Sequence, residues 1–156
     1  MKDLVTLERI KLLHPKLRQE ANDIYDEICE ALNGRAVCRF THTLRTFAEQ
    51  DALFKKVPKV TNAPKGLSFH NYGMAIDIVL LVDGKASWDV KTDFDGDGKA
   101  DWMEVVRIFK SYGWEAGIDW KFYDAPHFQK TLGKSVRQLL ALYNDGKVDA
   151  NNYVLI

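Results

Sequence analysis

Four histidines, His14, His42, His70 and His127, and the aspartates near two of them are the residues whose types and spacing suit hydrolytic or metal chemistry. The first cluster is Ser68-Phe69-His70-Asn71-Tyr72-Gly73-Met74-Ala75-Ile76-Asp77. Asp77 lies inside the most apolar run of the chain, Ala75 to Val82, where a carboxylate is costly unless a partner or a metal holds it. Strand alternation puts Ala75, Asp77 and Val79 on one face, and a turn at Gly73 lets His70 fold back over that face. This segment alone leaves a second reading open, with Asp77 capping a turn or paired with an arginine and His70 on a surface loop. The second cluster is Asp124-Ala125-Pro126-His127-Phe128-Gln129, framed by Trp120, Phe122 and Tyr123. Pro126 disfavours helix at Ala125, so Asp124 and His127 are expected in a loop entering a strand, unlike a helical H-E-x-x-H arrangement. Two histidines and one aspartate make a three-ligand zinc site with a fourth position for water. Asp124 is then left as a general base, a sufficient one because zinc lowers the pKa of its water to about 7.

A different chemistry is written in Asp93-Phe94-Asp95-Gly96-Asp97-Gly98-Lys99-Ala100-Asp101-Trp102-Met103-Glu104. Asp93, Asp95, Asp97, Asp101 and Glu104 occupy the oxygen positions of an EF-hand loop, Gly98 takes the turn position, and the Lys99 carbonyl supplies one more oxygen. Calcium is therefore expected here, as a switch or as a permanent clip. Ala100 stands where a branched aliphatic is usual, and the preceding segment reads as strand, so a complete EF-hand is not expected. A solvated acidic turn leading into a helix at Asp101 is the plainer alternative.

The elements that must position these groups are a mixture. Leu17 to Leu32 carries Leu17, Ala21, Ile24, Ile28, Ala31 and Leu32 near helical spacing and stops at Asn33-Gly34. Thr46 to Lys56 reads as a short helix packing through Phe47, Leu53 and Phe54. Ala75 to Val82 reads as the strongest strand, with Asp83-Gly84 turning it into Lys85-Ala86-Ser87-Trp88. Ala36 to Phe40 is β-like, Asp101 to Tyr112 helix-like, Pro126 to Lys130 a short strand, and Ser135 to Tyr143 a last helix closed by Asn144-Asp145-Gly146. Without a βαβ rhythm, this predicts a compact α+β fold, one domain over residues 1–156, with a small mainly antiparallel sheet flanked by helices.

Composition narrows the function. The 156 residues are 46% hydrophobic, enough for a core without disulfides. Lys plus Arg and Asp plus Glu number 22 each, so nothing asks for a nucleic-acid partner. Cys29 and Cys38 lack C-x-x-C spacing and read as small buried hydrophobes. The N-terminal residues lack an apolar signal-peptide core, and no stretch is long and apolar enough to span a membrane. The expectation is a soluble monomer made in the cytoplasm with no membrane partner.

Ser68-x-His70-x-x-Gly73-x-Ala75-x-Asp77, followed by Asp124-x-x-His127, resembles the zinc peptidases of bacterial cell-wall peptides, the D-alanyl-D-alanine carboxypeptidases and phage L-alanyl-D-glutamate endopeptidases (endolysins). The resemblance runs in motif order from about Arg39 to the C-terminus and includes Val60-Thr61-Asn62-Ala63. It implies a hedgehog/DD-peptidase-like fold, with His70, Asp77 and His127 on zinc and Asp124 as catalytic acid/base. It also implies a catalytic arginine, matched by Arg45 in Thr43-Leu44-Arg45-Thr46, although the family's usual Gly and Tyr are missing. Gln50 and Ser68 are carried over as substrate-binding residues, His42 is expected to line the cleft, and His14 is expected to be structural. Because the base is Asp124 rather than Glu, and the chain is small, the resemblance favours the L-alanyl-D-glutamate endopeptidase over a D-alanyl-D-alanine carboxypeptidase. An endolysin of this kind reaches the peptidoglycan stem peptide after release through a separate pore. A wall-peptide-binding module of the same fold, without catalysis, is the competing function.

Overall fold

The computed structural model describes residues 2–156. α1 (Leu4–Ile10) is capped by Asp3, whose carboxylate accepts from the Thr6 N–H. After a 3₁₀ turn at Pro15–Leu17, α2 (Arg18–Leu32) buries Ala21, Ile24, Ile28 and Leu32 from the stripe that its helical spacing implied, with Tyr25 added and Ala31 only half-buried. β1 (Ala36–His42) and α3 (Phe47–Phe54) follow, the helix opening on a Thr46/Glu49 capping box. β2 (Ala75–Val82) coincides with the apolar run. Asp83 and Gly84 both take positive φ and turn the chain into β3 (Lys85–Ser87). α4 (Asp101–Ser111), β4 (Glu115–Ala116), β5 (His127–Gln129) and α5 (Val136–Asn144) complete the order. Among the described residues, no helix is long and apolar enough to cross a membrane.

The sheet is antiparallel throughout, in the order β1-β2-β5-β4, with β3 continuing along β2 beyond β5. Register divides its two faces. The pairs Cys38↔Leu80, Phe40↔Ile78 and Ile76↔Phe128 put one set of side chains into the core with α2 and α4. An aromatic column fixes this face: Phe109 stacks on Phe128 at 4.1 Å between centroids, Phe40 lies 6.0 Å from Phe109, and Tyr25 lies 5.5 Å from Phe40. Because successive strand residues alternate, burying Phe128 turns its neighbour His127 to the opposite face, together with Asp77.

Two short elements, α1 and β4, lie outside the sequence expectations. α1 buttresses β1: Arg39 forms a two-pronged ion pair with Asp3, at 3.0 and 2.8 Å, and Arg9 Nη1 donates to the Phe40 carbonyl at 2.9 Å. The expected packing of α3 is corrected. Leu53 and Phe54 are only half-buried, and the buried residue of this helix is Gln50, a polar anchor explained by its partners below. Cys29 and Cys38 are free thiols.

Candidate metal centre

The site is assembled by strand register. His42, Asp77 and His127 are paired neighbours across β1, β2 and β5, and such directly opposed residues have Cβ atoms ~5 Å apart. His42 belongs in this row only because of a register shift between Phe40 and His42, where Thr41 is the extra residue. Without it, alternation would aim His42 into the core with Phe40. His70 enters from the 3₁₀ turn Phe69–Tyr72. That turn ends at Gly73, whose φ is 67° and where an added Cβ would meet the His14 backbone nitrogen at 2.5 Å. Only glycine fits there.

His70, Asp77 and His127 converge, with one donor atom from each lying within 4.8 Å of the others. His70 Nε2 is 3.2 Å and His127 Nδ1 3.1 Å from Asp77 Oδ1. Ligands ~2.05 Å from a tetrahedral zinc would be ~3.3 Å apart, so the donors already have the right spacing. The outer ring nitrogens decide which lone pairs face inward. His70 Nδ1 lies 2.9 Å from the Thr43 carbonyl, which can only accept, so Nδ1 carries the proton and Nε2 is free. His70 Nε2 is buried and lacks a hydrogen-bond partner among the described residues. His127 Nε2 donates to Gln129 Oε1 at 2.8 Å, leaving Nδ1 as the inward lone pair. A buried orphan nitrogen, a second inward lone pair and a carboxylate between them suit a zinc ion.

The electrostatics agree. Burial alone would raise the Asp77 carboxyl, but His70 and His127, when protonated in the metal-free site, outweigh it through charge and hydrogen bonds and hold Asp77 far below the usual carboxylate range; a cation bound in place of those protons acts in the same direction. Burial pushes Asp124 the other way, above its ordinary value, with the Asp77 charge adding to it and His127, His70 and Arg45 opposing. The Asp124 loop is fixed by its backbone: its N–H donates to the Gly117 carbonyl at 2.9 Å, and its carbonyl accepts from His127 N–H at 3.1 Å. An added Cβ at Gly117 would sit 2.2 Å from the Asp124 carbonyl oxygen, so this close approach also requires glycine.

The other expected residues fall into two groups. Arg45 is drawn inward, its side chain 12% exposed, with Nη2 3.8 Å from Asp77 Oδ2. His42 stands at the rim, 56% exposed, with Nδ1 4.0 Å from the same oxygen. Gln50 and the half-buried Ser68 both engage neighbouring groups of the protein. Gln50 is fully buried, accepting from Arg45 Nη1 at 3.0 Å and donating to the Ala63 carbonyl at 2.7 Å, and so braces the arginine. The Ser68 hydroxyl caps the His70 turn by accepting from the His70 N–H at 3.2 Å. Asn71 stitches the two loops together, donating to the Arg45 carbonyl at 3.0 Å. His14 is structural, its Nε2 donating to the Val154 carbonyl at 2.8 Å.

Thr43, Gln129 and Gly117 escaped the sequence reading. Gln129 had a signal: two residues beyond His127 in a strand, it must share the histidine's face. Its removal gives a clean test, because a partner that orients a metal-ligating histidine typically contributes 10–100-fold to affinity. Gln129→Leu is expected to weaken zinc binding by about that factor, read by competition with a chromogenic chelator, while leaving the melting curve of the metal-free protein nearly unchanged. Unchanged zinc affinity would remove Gln129 from the site.

Comparison with known proteins agrees with this arrangement. Residues 61–130 match the sequence model of a family described as D-alanyl-D-alanine carboxypeptidase, a span that contains His70, Asp77, Asp124 and His127. The peptidoglycan L-alanyl-D-glutamate endopeptidase CwlK of Bacillus subtilis is 43% identical over 124 residues, covering 75% of this chain and 72% of that protein. The fold is similar to the crystal structure of the L-Ala D-Glu endopeptidase ChiX of Serratia marcescens, with a TM-score of 0.57 over 82% of this chain and 87% of that one, at 24% identity. The chain therefore belongs to the family of peptidoglycan peptidases that comprises D-alanyl-D-alanine carboxypeptidases and L-alanyl-D-glutamate endopeptidases.

Proposed function

We propose that this chain is a zinc-dependent endopeptidase that hydrolyses the L-alanyl-D-glutamate bond of peptidoglycan stem peptides, acting as a monomer with residues 1–156 as one catalytic domain. The observation that carries the chemistry is the convergence of His70 Nε2, Asp77 Oδ1 and His127 Nδ1, with both outer ring nitrogens tied to carbonyl oxygens. The bond is taken from the activity named for the Bacillus subtilis relative.

His70, Asp77 and His127 would hold the zinc ion, which would supply a Lewis acid and lower the pKa of a water molecule to about 7. Asp124, raised by burial, accepts the proton of the attacking water and returns it to the leaving amine, so the peptide bond is replaced by a carboxylate and a free amine. Arg45 Nη2 points toward the same centre, braced by Gln50, and stabilises either the developing oxyanion or a substrate carboxylate. His42 at the rim and the exposed Phe122 and Tyr123 border the approach for an extended peptide. Calcium is the second cation of this reading, assigned to the acidic loop away from the reaction.

The test is release of new amino groups from purified peptidoglycan. Zinc-loaded protein is expected to release them, protein treated with a chelator to release none, and re-addition of zinc to restore release. Equal release with and without the chelator would contradict a metallopeptidase, and no release from zinc-loaded protein would favour a binding module.

A further inference from the structure

We infer that residues 93–104 hold one calcium ion, which clips the start of α4 to the turn between α2 and β1 at the end of the sheet remote from the zinc centre. The inference rests on the calcium assignment above but not on the peptidase activity. Two carboxylate triads overlap in this loop, Asp93/Asp95/Asp101 and Asp95/Asp97/Glu104, each with donor oxygens within 4.8 Å of one another. Asp95 belongs to both, so the two triads adjoin and five carboxylates crowd one loop.

The observation that calls for an ion comes from the buried end of the loop. Asp101 is wholly buried; one oxygen accepts from the Phe94 N–H at 2.8 Å, and the other, Oδ2, lacks a partner among the described residues. Glu104, only 5% exposed, likewise has an Oε2 without one. Two buried carboxylates with orphan oxygens facing three more acidic groups are strongly unfavourable without a cation. Zinc prefers nitrogen and sulfur, and magnesium demands a rigid octahedron of mostly water. An all-oxygen loop, with the Lys99 carbonyl as a further donor, suits calcium.

The place of the loop defines the role. β2 runs from Asp77 at the zinc centre to Val82, which pairs with Ala36 at the start of β1. Five strand steps put that end roughly 17 Å away. There the loop touches the α2–β1 turn, since a Cβ added at Gly34 would lie 3.0 Å from Asp95 Cβ. Calcium at this distance contributes no group to the reaction; it joins the acidic loop and α4 to the rest of the fold.

The experiment uses zinc-loaded protein freed of calcium on a calcium-selective resin, verified by metal analysis, and melted with calcium chloride, with magnesium chloride or with neither. At a hundredfold excess over its dissociation constant, calcium is expected to raise the melting temperature by about 5–10 °C, with magnesium giving little. Asp95→Asn/Asp97→Asn, which leaves the buried Asp101 and Glu104 in place, should lose the shift. Absence of a shift in the wild type, or an equal shift in the variant, would overturn the site. Peptidoglycan hydrolysis measured well below the melting temperature should not respond to calcium, and a dependence there would overturn the clip. Failure of the calcium shift with hydrolysis intact strikes only this inference, while the converse result strikes only the peptidase reading.

Discussion

Replacing Asp124 by asparagine is expected to lower turnover on peptidoglycan by about 10²–10⁴-fold while zinc stays bound. Asparagine keeps the size and the backbone bonds to Gly117 and His127 but cannot take a proton from water. Asp124 is also absent from the triad whose donors lie within 4.8 Å, so the metal loses no ligand. Metal analysis and hydrolysis rates on the same preparation separate the two effects. If Asp124→Asn sheds its zinc while Asp77→Asn keeps it, the two carboxylates have exchanged roles.

Removing a ligand should do the reverse. His70→Ala and His127→Ala are each expected to emerge from dialysis without zinc and with hydrolysis no faster than the chelator-treated wild type. The effect must exceed the 10–100-fold assigned to Gln129, because a ligand is lost rather than the group that orients it. Asp77→Asn should weaken zinc as well, for the carboxylate oxygen lies between both ring nitrogens, at 3.2 and 3.1 Å. Stability responds differently. His70 and His127 face each other with rings 5.1 Å apart, on the sheet face opposite the aromatic column. Truncating them leaves that column untouched, and the variants should fold. Full zinc retention in both histidine variants would refute the ligand set.

Local signals in the sequence were informative where they were strong. The apolar run of β2, the stripe of α2 and the last helix, α5, appear in the structure at their expected places. α1 was hidden because it is seven residues long and spends a buried position on a threonine. Its value is tertiary, since Thr43 Oγ1 donates to the Arg9 carbonyl at 2.7 Å and so fixes the segment whose carbonyl orients His70. The two motif halves could be recognised 50 residues apart, but their register could not. That Asp77 sits opposite both His42 and His127 follows from strand pairing and one inserted residue at Thr41. Gln50 and Ser68 show the same limit: that one braces Arg45 and the other caps the His70 turn depends on packing that the sequence does not display.

The central claim is most directly tested by mass spectrometry of the fragments released from purified peptidoglycan by the zinc-loaded protein. Cleavage of the proposed bond yields fragments that end in L-alanine and partners that begin with D-glutamate, and both should appear together and be absent with Asp124→Asn. Release of free D-alanine alone, with the stem peptide otherwise intact, would contradict the endopeptidase assignment and identify a carboxypeptidase.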